Sequence, residues 1–172
     1  MKTLLLSGGR DSALIAAERC DELDAAITFS YGQPHKIELD FARRVAEKYR
    51  IPHHFIVSLP DLGMTPEDPE VGARNLLFMA LAKSLGATEI YLGANAADQR
   101  DFPDCRPEYL EKVQDLLGVP VKTPLLSRTK GEILDACLSH DILDMTWSCY
   151  DPQEGLKPCY KCGACRAEAA ND

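Results

Sequence analysis

Short apolar runs alternate with helical patterns along the first half of the chain. The runs at residues 3–6, 25–30 and 53–58 have the length of buried strands and are bounded by turn-forming residues. Between them, the apolar residues from 11 to 17 and from 37 to 50 recur at helical spacing, and Pro34 suits the first turn of the second helix. The order strand, helix, strand, helix, strand predicts a parallel sheet with right-handed crossovers.

The second half continues the alternation after a proline-containing loop at residues 59–70. Residues 76–85 predict an apolar helix that Gly86 ends, and residues 88–93 predict a fourth strand. A long polar loop at 94–107, a helix at 108–117, a short strand at 121–123 and a helix at 130–138 follow. We therefore expect one α/β domain over residues 1–172, built on a Rossmann-like, doubly wound parallel sheet.

Polar stretches follow the first, second and fourth predicted strands, at residues 7–12, 31–35 and 93–106. In an open parallel sheet the ligand crevice lies beyond the carboxyl ends of the strands, so these stretches are expected to meet there.

The first of these stretches combines two glycines with a helix start. The glycines let the backbone approach a ligand closely, and the free N–H groups of the helix favour an anion. Asp11 suits a helix start and can hold a cation over a phosphate. The pattern is neither of the two common glycine-rich nucleotide loops, and an ordinary strand–helix turn is the alternative. The predicted phosphate-binding residues are Leu6, Ser7, Gly8, Gly9, Arg10, Asp11 and Ser12.

Four cysteines near the end of the chain, Cys149, Cys159, Cys162 and Cys165, have the spacing of a metal site. Four thiolates satisfy tetrahedral Zn²⁺ and leave no position for water, which indicates a structural zinc within a segment at residues 146–168. Free thiols and an iron–sulfur cluster are the alternatives. Cys20 and Cys137 lie in helical patterns and are expected in the core, whereas Cys105 fits either environment.

Two further cations and one loop are candidates for ligand binding. Arg74 opposes the helix dipole at the start of the apolar helix, so it suits a phosphate or carboxylate ligand better than helix stability. Lys130 begins a helix and can reach a phosphate as a point charge. Residues 93–106 join carboxylates to an aromatic ring, a combination that fits a purine-like base. Solvated side chains are the alternative for all three.

Composition limits the classes of partner. The 172 residues carry a formal net charge of −8, which argues against binding along a nucleic-acid backbone but allows a small anionic ligand. No apolar run reaches membrane-spanning length and no signal peptide is evident, so we expect a cytoplasmic protein without a membrane partner. Seven cysteines in that compartment favour metal binding over disulfides.

Residues 7–12 resemble the PP-loop of the ATP pyrophosphatase family. This stretch is the first of a series of motifs along nearly the whole chain: Ser7-Gly8-Gly9-Arg10-Asp11-Ser12, Tyr31-Gly32-Gln33 with His35, Arg74-Asn75, Gly93-x-Asn95-x-x-Asp98, Phe102-Pro103-Asp104-Cys105-Arg106, Thr146-Trp147-Ser148-Cys149-Tyr150, and Cys159-x-x-Cys162-x-x-Cys165-Arg166. In this order the motifs resemble those of the QueC family of 7-cyano-7-deazaguanine synthases.

The resemblance implies a fold of the ATP pyrophosphatase (HUP) type and a C-terminal zinc segment. It implies an enzyme that uses ATP and Mg²⁺ to convert 7-carboxy-7-deazaguanine and ammonia to the nitrile through an adenylated intermediate, and a homodimer. Asp11, Arg74 and Lys130 are the implied catalytic residues. The implied substrate-binding residues are Tyr31, Gln33, Asn75, Gly93, Asn95, Asp98, Phe102, Asp104 and Arg106.

The sequence departs from the family pattern in several places. Arg10 replaces an apolar residue, Phe102 replaces a tyrosine, and Gly72-Ala73 replaces Pro-Gly before Arg74. The chain is also shorter than typical members, chiefly around residues 59–71 and at the C-terminus. Alternative functions are adenylation that stops at the amide or conjugates the base to a protein amine, tRNA modification, and an inactive nucleotide-binding subunit.

Overall fold

The computed structural model describes residues 1–68 and 70–170. Within these residues five parallel strands form one sheet in the order β3-β2-β1-β4-β5, which confirms the doubly wound arrangement. The strands are β1 (Lys2–Leu5), β2 (Ala25–Ser30), β3 (His53–Ser58), β4 (Glu89–Tyr91) and β5 (Val121–Lys122).

Seven α-helices are described in the same residues, and three short 3₁₀ turns accompany them. The helices are α1 (Arg10–Arg19), α2 (Glu38–Lys48), α3 (Arg74–Ser84), α4 (Ala96–Asp101), α5 (Pro107–Leu117), α6 (Lys130–Ser139) and α7 (Gly163–Ala170). The 3₁₀ turns are Cys20–Glu22, Pro103–Cys105 and Leu143–Met145.

Two apolar clusters cover opposite faces of the sheet. Leu4 of β1 belongs to the cluster of α1, α2 and α6, whereas its neighbour Leu5 belongs to the cluster of α3 and α5. Successive side chains of a strand point to opposite faces, so this one strand contributes to both layers. The burial of both faces explains why the first strands read as continuous apolar runs rather than alternating ones.

Two predicted elements were wrong in detail, and one helix was not predicted. Residues 94–107 are not a continuous loop, because Asn95 and Asp98 form a reciprocal capping box that starts α4, and a 3₁₀ turn follows. Pro34 lies in a turn, and α2 begins four residues later at Glu38. The helix α7 within the cysteine segment was not predicted. In the part of the chain that the structure describes, no helix has both the length and the apolar character that a bilayer crossing requires.

Candidate active site and metal centre

The turn between β1 and α1 is held by a small set of serine hydrogen bonds. The Ser7 and Ser12 hydroxyl oxygens lie 3.1 Å apart, and the backbone N–H of Gly9 donates to Ser7 Oγ at 3.2 Å. Ser12 Oγ donates to the Gly9 carbonyl at 3.1 Å. Gly9 is the N-cap of α1 and has no side chain to satisfy the first N–H groups of the helix. An anion is the natural partner for such a helix start.

Two glycines allow neighbouring elements to pack directly against this turn. Gly8 has φ +92°, and a Cβ on it would lie 2.2 Å from the Glu38 carbonyl oxygen at the start of α2. Gly93 follows β4, and a Cβ there would lie 3.0 Å from both Asp11 Cβ and the Ser12 nitrogen. The turn is therefore wedged between α2 and the end of β4.

Replacing Gly8 with alanine is expected to destabilise the fold more than an ordinary glycine substitution. The added methyl group meets backbone rather than a movable side chain, so the cost includes overpacking of about 1–3 kcal/mol on top of about 1 kcal/mol for the left-handed conformation. Gly118→Ala is the matched control, because Gly118 has φ +60° but open space around it. Urea unfolding of both variants measures the difference, and equal free energies of unfolding would contradict the steric argument.

A buried acidic pair lies beside the turn. Asn95 Nδ2 donates to Asp11 Oδ2 at 3.1 Å, and the Asn95 backbone N–H donates to Asp98 Oδ2 at 3.2 Å. Burial, together with the nearby Asp98, raises the pKa of Asp11 to about 7, although Asn95, Lys130 and Arg10 oppose the shift. Burial likewise raises the pKa of Asp98. Two neighbouring carboxyls from which solvent is largely excluded form a favourable site for a divalent cation.

A cavity of about 320 Å³ opens at the carboxyl ends of the strands, as the crevice rule predicts. The residues of the turn line one part of it, and apolar side chains line another, among them Phe29, Met64 and Phe78. Phe29 and Phe78 stack with their ring centroids 4.1 Å apart. The cavity thus joins the glycine–serine turn, which is predicted to bind phosphate, to an apolar recess.

Arg74 and Tyr31 connect these two parts of the cavity. Arg74 Nη1 donates to the Tyr31 hydroxyl at 3.3 Å, and its guanidinium carbon lies 6.0 Å from the centre of the Tyr31 ring. The Tyr31 hydroxyl in turn approaches Met64 Sδ at 3.6 Å. The half-buried cation is therefore held at the cavity wall, where an anionic ligand would meet it.

Most of the predicted site residues meet in this one cavity. Its wall includes Leu6, Ser7, Gly9, Arg10, Asp11, Ser12, Tyr31, Arg74, Asn75, Gly93, Asn95, Asp98, Phe102 and Lys130. The structure brings these residues together from β1, β2, β4, α1, α3, α4 and α6.

Four other predicted residues have different positions. Gly8 packs against α2, and Gln33 is fully buried, with its side chain bonded to the Tyr31 N–H, the Phe29 carbonyl and Glu38. Asp104 lines a second, smaller cavity together with Arg74 and Phe102. Arg106 Nε donates to the Gln99 carbonyl at 3.0 Å.

The cavity wall also contains residues to which the sequence analysis gave no role: His35, Glu38, Trp147, Ser148 and Tyr150. His35, Trp147, Ser148 and Tyr150 lay within the quoted motifs, and this was the signal available for them. No periodic or compositional signal pointed to Glu38, because it reads as an ordinary residue in the first turn of an amphipathic helix.

The four C-terminal cysteines form a compact cluster. Their sulfur atoms all lie within 4.8 Å of one another, and the sulfurs of Cys159 and Cys165 are 4.0 Å apart. Tetrahedral Zn²⁺ with Zn–S bonds of about 2.3 Å requires sulfur separations of about 3.8 Å, so the cluster needs little adjustment. The donor set and its spacing therefore fit the metal.

Backbone N–H groups surround these sulfurs as they surround thiolates. Cys162 and Lys161 donate to Cys159 Sγ at 3.2 and 3.3 Å, and Tyr150 donates to Cys162 Sγ at 3.4 Å. The N–H of Lys161 is the main reason that the pKa of Cys159 falls to about 7. The backbone thus favours charged sulfur at Cys159, whereas burial raises the pKa of Cys149 and of Cys165.

The cysteine segment is joined to the phosphate-binding turn. The Trp147 N–H donates to the Gly8 carbonyl at 3.0 Å, and the Trp147 ring stacks on Phe41 of α2 at 5.7 Å between centroids. Trp147, Ser148, Tyr150 and Ala164 line the main cavity. A metal that orders this segment would therefore also shape the cavity wall.

A 3-2-1-4-5 parallel sheet with a cavity at the carboxyl ends of its strands defines a doubly wound α/β protein. Comparison with known sequences gives the family: "Queuosine biosynthesis protein QueC" matches residues 2–65 and 63–171. The chain belongs to the QueC family.

Similar curated proteins extend over almost the whole chain. The 7-cyano-7-deazaguanine synthase of Solidesulfovibrio magneticus is 35% identical over 94% of this chain and 86% of its own length. That of Azotobacter vinelandii is 36% identical over 97% of this chain and 91% of its own length. Both relatives are thus matched over most of their length.

Solved structures share the fold at low sequence identity. The NMN synthetase of Francisella tularensis has a TM-score of 0.57 and 14% identity over 92% of this chain and 69% of its own. The glutamine-dependent NAD⁺ synthetase of Acinetobacter baumannii has a TM-score of 0.55 and 20% identity over 80% of this chain and 28% of its own. These likenesses concern the fold alone, which agrees with the predicted class.

Proposed function

We propose that this protein is a 7-cyano-7-deazaguanine synthase, which uses ATP to convert 7-carboxy-7-deazaguanine and ammonia to the nitrile. The observation that carries the proposal is the identity of about 35% to curated synthases over 94% of the chain. The cavity supports it, because an anion-binding turn and an apolar recess with aromatic walls share one space, as a reaction between ATP and a flat carboxylic acid requires.

The proposed reaction has two activation steps. The substrate carboxylate attacks the α-phosphorus of ATP, pyrophosphate leaves, and ammonia displaces AMP from the acyl adenylate to give the amide. The amide oxygen then attacks a second ATP in the same way, and loss of AMP and a proton leaves the nitrile. Such chemistry depends on orientation and on charge stabilisation rather than on a covalent enzyme intermediate.

The chain's residues supply these two effects. The N–H groups of the turn and the hydroxyls of Ser7 and Ser12 bind phosphate oxygens, and Arg74 and Lys130 offset the charge that develops on them. Tyr31, Asn75, Phe102 and Asn95, the N-cap residue of α4, hold the deazaguanine. Gln33 serves this site indirectly by fixing the turn that carries Tyr31.

Two metals complete the proposal. Asp11 and Asp98 would hold Mg²⁺, which neutralises phosphate charge when it is bound. Cys149, Cys159, Cys162 and Cys165 would hold Zn²⁺, which closes the C-terminal segment and leaves no open position for catalysis.

A mass-resolved assay with 7-carboxy-7-deazaguanine, ATP, Mg²⁺ and ammonium tests the proposed function. We expect AMP, pyrophosphate and a base of nitrile mass, with two ATP consumed for each nitrile. A base of amide mass as the only product would replace the nitrile with an amide or conjugation end point. Absence of AMP from folded, zinc-loaded protein would contradict the proposal and favour a binding subunit.

A further inference from the structure

His35 and Glu38 form a buried pair in the wall of the main cavity. His35 Nε2 lies 3.2 Å from Glu38 Oε2, and the two side chains are only 5% and 10% exposed. The other carboxylate oxygen, Glu38 Oε1, accepts a hydrogen bond from Gln33 Nε2 at 3.0 Å. Because Glu38 accepts at both oxygens, the imidazole donates through Nε2, and Nδ1 of the neutral ring carries a lone pair.

The second ring nitrogen of His35, Nδ1, forms no hydrogen bond with any of the described residues. The atom is nevertheless shielded from bulk water. Buried polar atoms in folded proteins almost always have a partner, and exceptions concentrate at functional sites. An unpartnered basic nitrogen on a ring that lines a ligand cavity indicates that the ligand supplies its partner.

The pair lies next to the phosphate-binding turn. The Glu38 carbonyl oxygen is the atom that a Cβ on Gly8 would meet at 2.2 Å, so the first turn of α2 is in direct contact with that turn. On its other side, the His35 ring lies 5.3 Å from the Tyr150 ring, measured between centroids. The imidazole is thus fixed between the turn and the cysteine segment, in the wall of the main cavity.

We propose that His35, oriented by Glu38, is the base that accepts the proton from the attacking nitrogen in the amination step. This inference rests on the proposed function. The nitrogen lone pair forms the C–N bond, the C–O bond to the adenylate breaks, and its electron pair leaves with AMP. The N–H proton passes to His35 Nδ1, the Glu38 carboxylate stabilises the imidazolium, and the proton then passes to the phosphate of the departing AMP.

The test separates adenylation from amination. Exchange of labelled pyrophosphate into ATP, dependent on 7-carboxy-7-deazaguanine, measures adenylation, and amide formation from ammonium measures amination. His35→Gln retains an N–H donor for Glu38 but has no basic nitrogen. We expect this variant to keep exchange within about twofold of wild type and to lose about 100-fold or more in amide formation. His140→Gln, an exposed site at the end of α6, is the control and should match wild type in both assays.

Hydroxylamine provides a readout that a structural role would not change. Its nitrogen is largely unprotonated at neutral pH and is a stronger nucleophile than ammonia, so it needs less help from a base. We therefore expect hydroxylamine to restore most of the acyl transfer in His35→Gln. Glu38→Gln should show the same separation with a smaller loss, and it provides a second variant if the first folds poorly.

Two outcomes would overturn the inference while leaving the proposed function intact. One is wild-type amide formation by His35→Gln, and the other is an equal loss of exchange and amination with no rescue by hydroxylamine, which would indicate a structural role. A wild-type protein that shows neither exchange nor AMP would instead overturn the proposed function, and the inference with it.

Discussion

Asp11→Asn is expected to abolish ATP turnover and, at the same time, to stabilise the folded protein at alkaline pH. The Asp11 carboxyl has a pKa of about 7 in the folded chain and about 3.8 when unfolded, so the folded state binds the additional proton between these values. The stability of the wild type should therefore fall as the pH rises from about 4 through 7. The loss is about 2–4 kcal/mol, allowing for partial access of water to the carboxyl.

Asparagine removes this pH dependence because it has no charge to bury, and its carbonyl oxygen can still accept from Asn95 Nδ2. Urea unfolding at pH 5 and pH 8, without Mg²⁺ or nucleotide, measures the effect. The gain of the variant over wild type should be larger at pH 8 than at pH 5, because part of the wild-type loss is already present at pH 5. Its rate of AMP formation should fall at least about 100-fold, since the residue that would hold the cation has lost its charge.

Asp115→Asn is the matched control for this prediction, because Asp115 lies exposed on α5. It should unfold with the pH dependence of wild type and retain full activity. If Asp11→Asn had the same pH dependence of stability as wild type, the Asp11 carboxyl of the wild type would be ionised below neutral pH. Retained turnover would show that Asp11 has no part in holding the phosphates.

The second large effect is expected from Cys162→Ser, which removes one thiolate from the four-cysteine cluster. Zinc should bind at least about 100-fold more weakly, and metal analysis should find less than one zinc per chain after dialysis. Adenylation should fall as well, although no cysteine of the cluster is proposed to touch the substrate. The reason is that Trp147 and Tyr150 depend on the cluster for their position in the cavity wall.

Cys20→Ser is the control, since Cys20 lies outside the cluster in a half-buried 3₁₀ turn. It should retain one zinc per chain and the activity of wild type. If Cys162→Ser lost zinc but kept full adenylation, the cysteine cluster would not be needed to position Trp147 and Tyr150 in the cavity wall. An iron–sulfur cluster would be revealed by colour and by iron in place of zinc.

The polar helix α4 illustrates a local signal that was present but overlooked. Two alanines followed by four polar residues carry no apolar periodicity, so the pattern of residues 96–101 predicts a loop. The sequence nevertheless contains the capping-box pattern, because Asn95 lies three positions before Asp98. Chain order and local chemistry were therefore enough to place this helix, whereas its contact with Asp11 was not visible in either.

Gln33 and His35 show where local reasoning fails. Both lie in the same five-residue polar stretch. Their residue types do not indicate which of the two supports the turn from within the core and which lines the cavity. The structure places the Gln33 amide beneath the site, bonded to three neighbours, and places the His35 ring in the cavity wall. In an irregular segment the direction of each side chain is decided by what packs around it.

The sequence by itself determined the alternation of strands and helices, the glycine turn after β1 and the set of four cysteines. Each of these depends on residue type at short range: periodic burial, glycine conformations and ligand spacing. Only the tertiary structure decided that the cysteine segment returns to Gly8 through Trp147, that Asp11 shares its surroundings with Asp98, and that Glu38 orients His35. These are contacts between residues brought together by packing of the sheet's two faces, and such contacts leave no periodic trace along the chain.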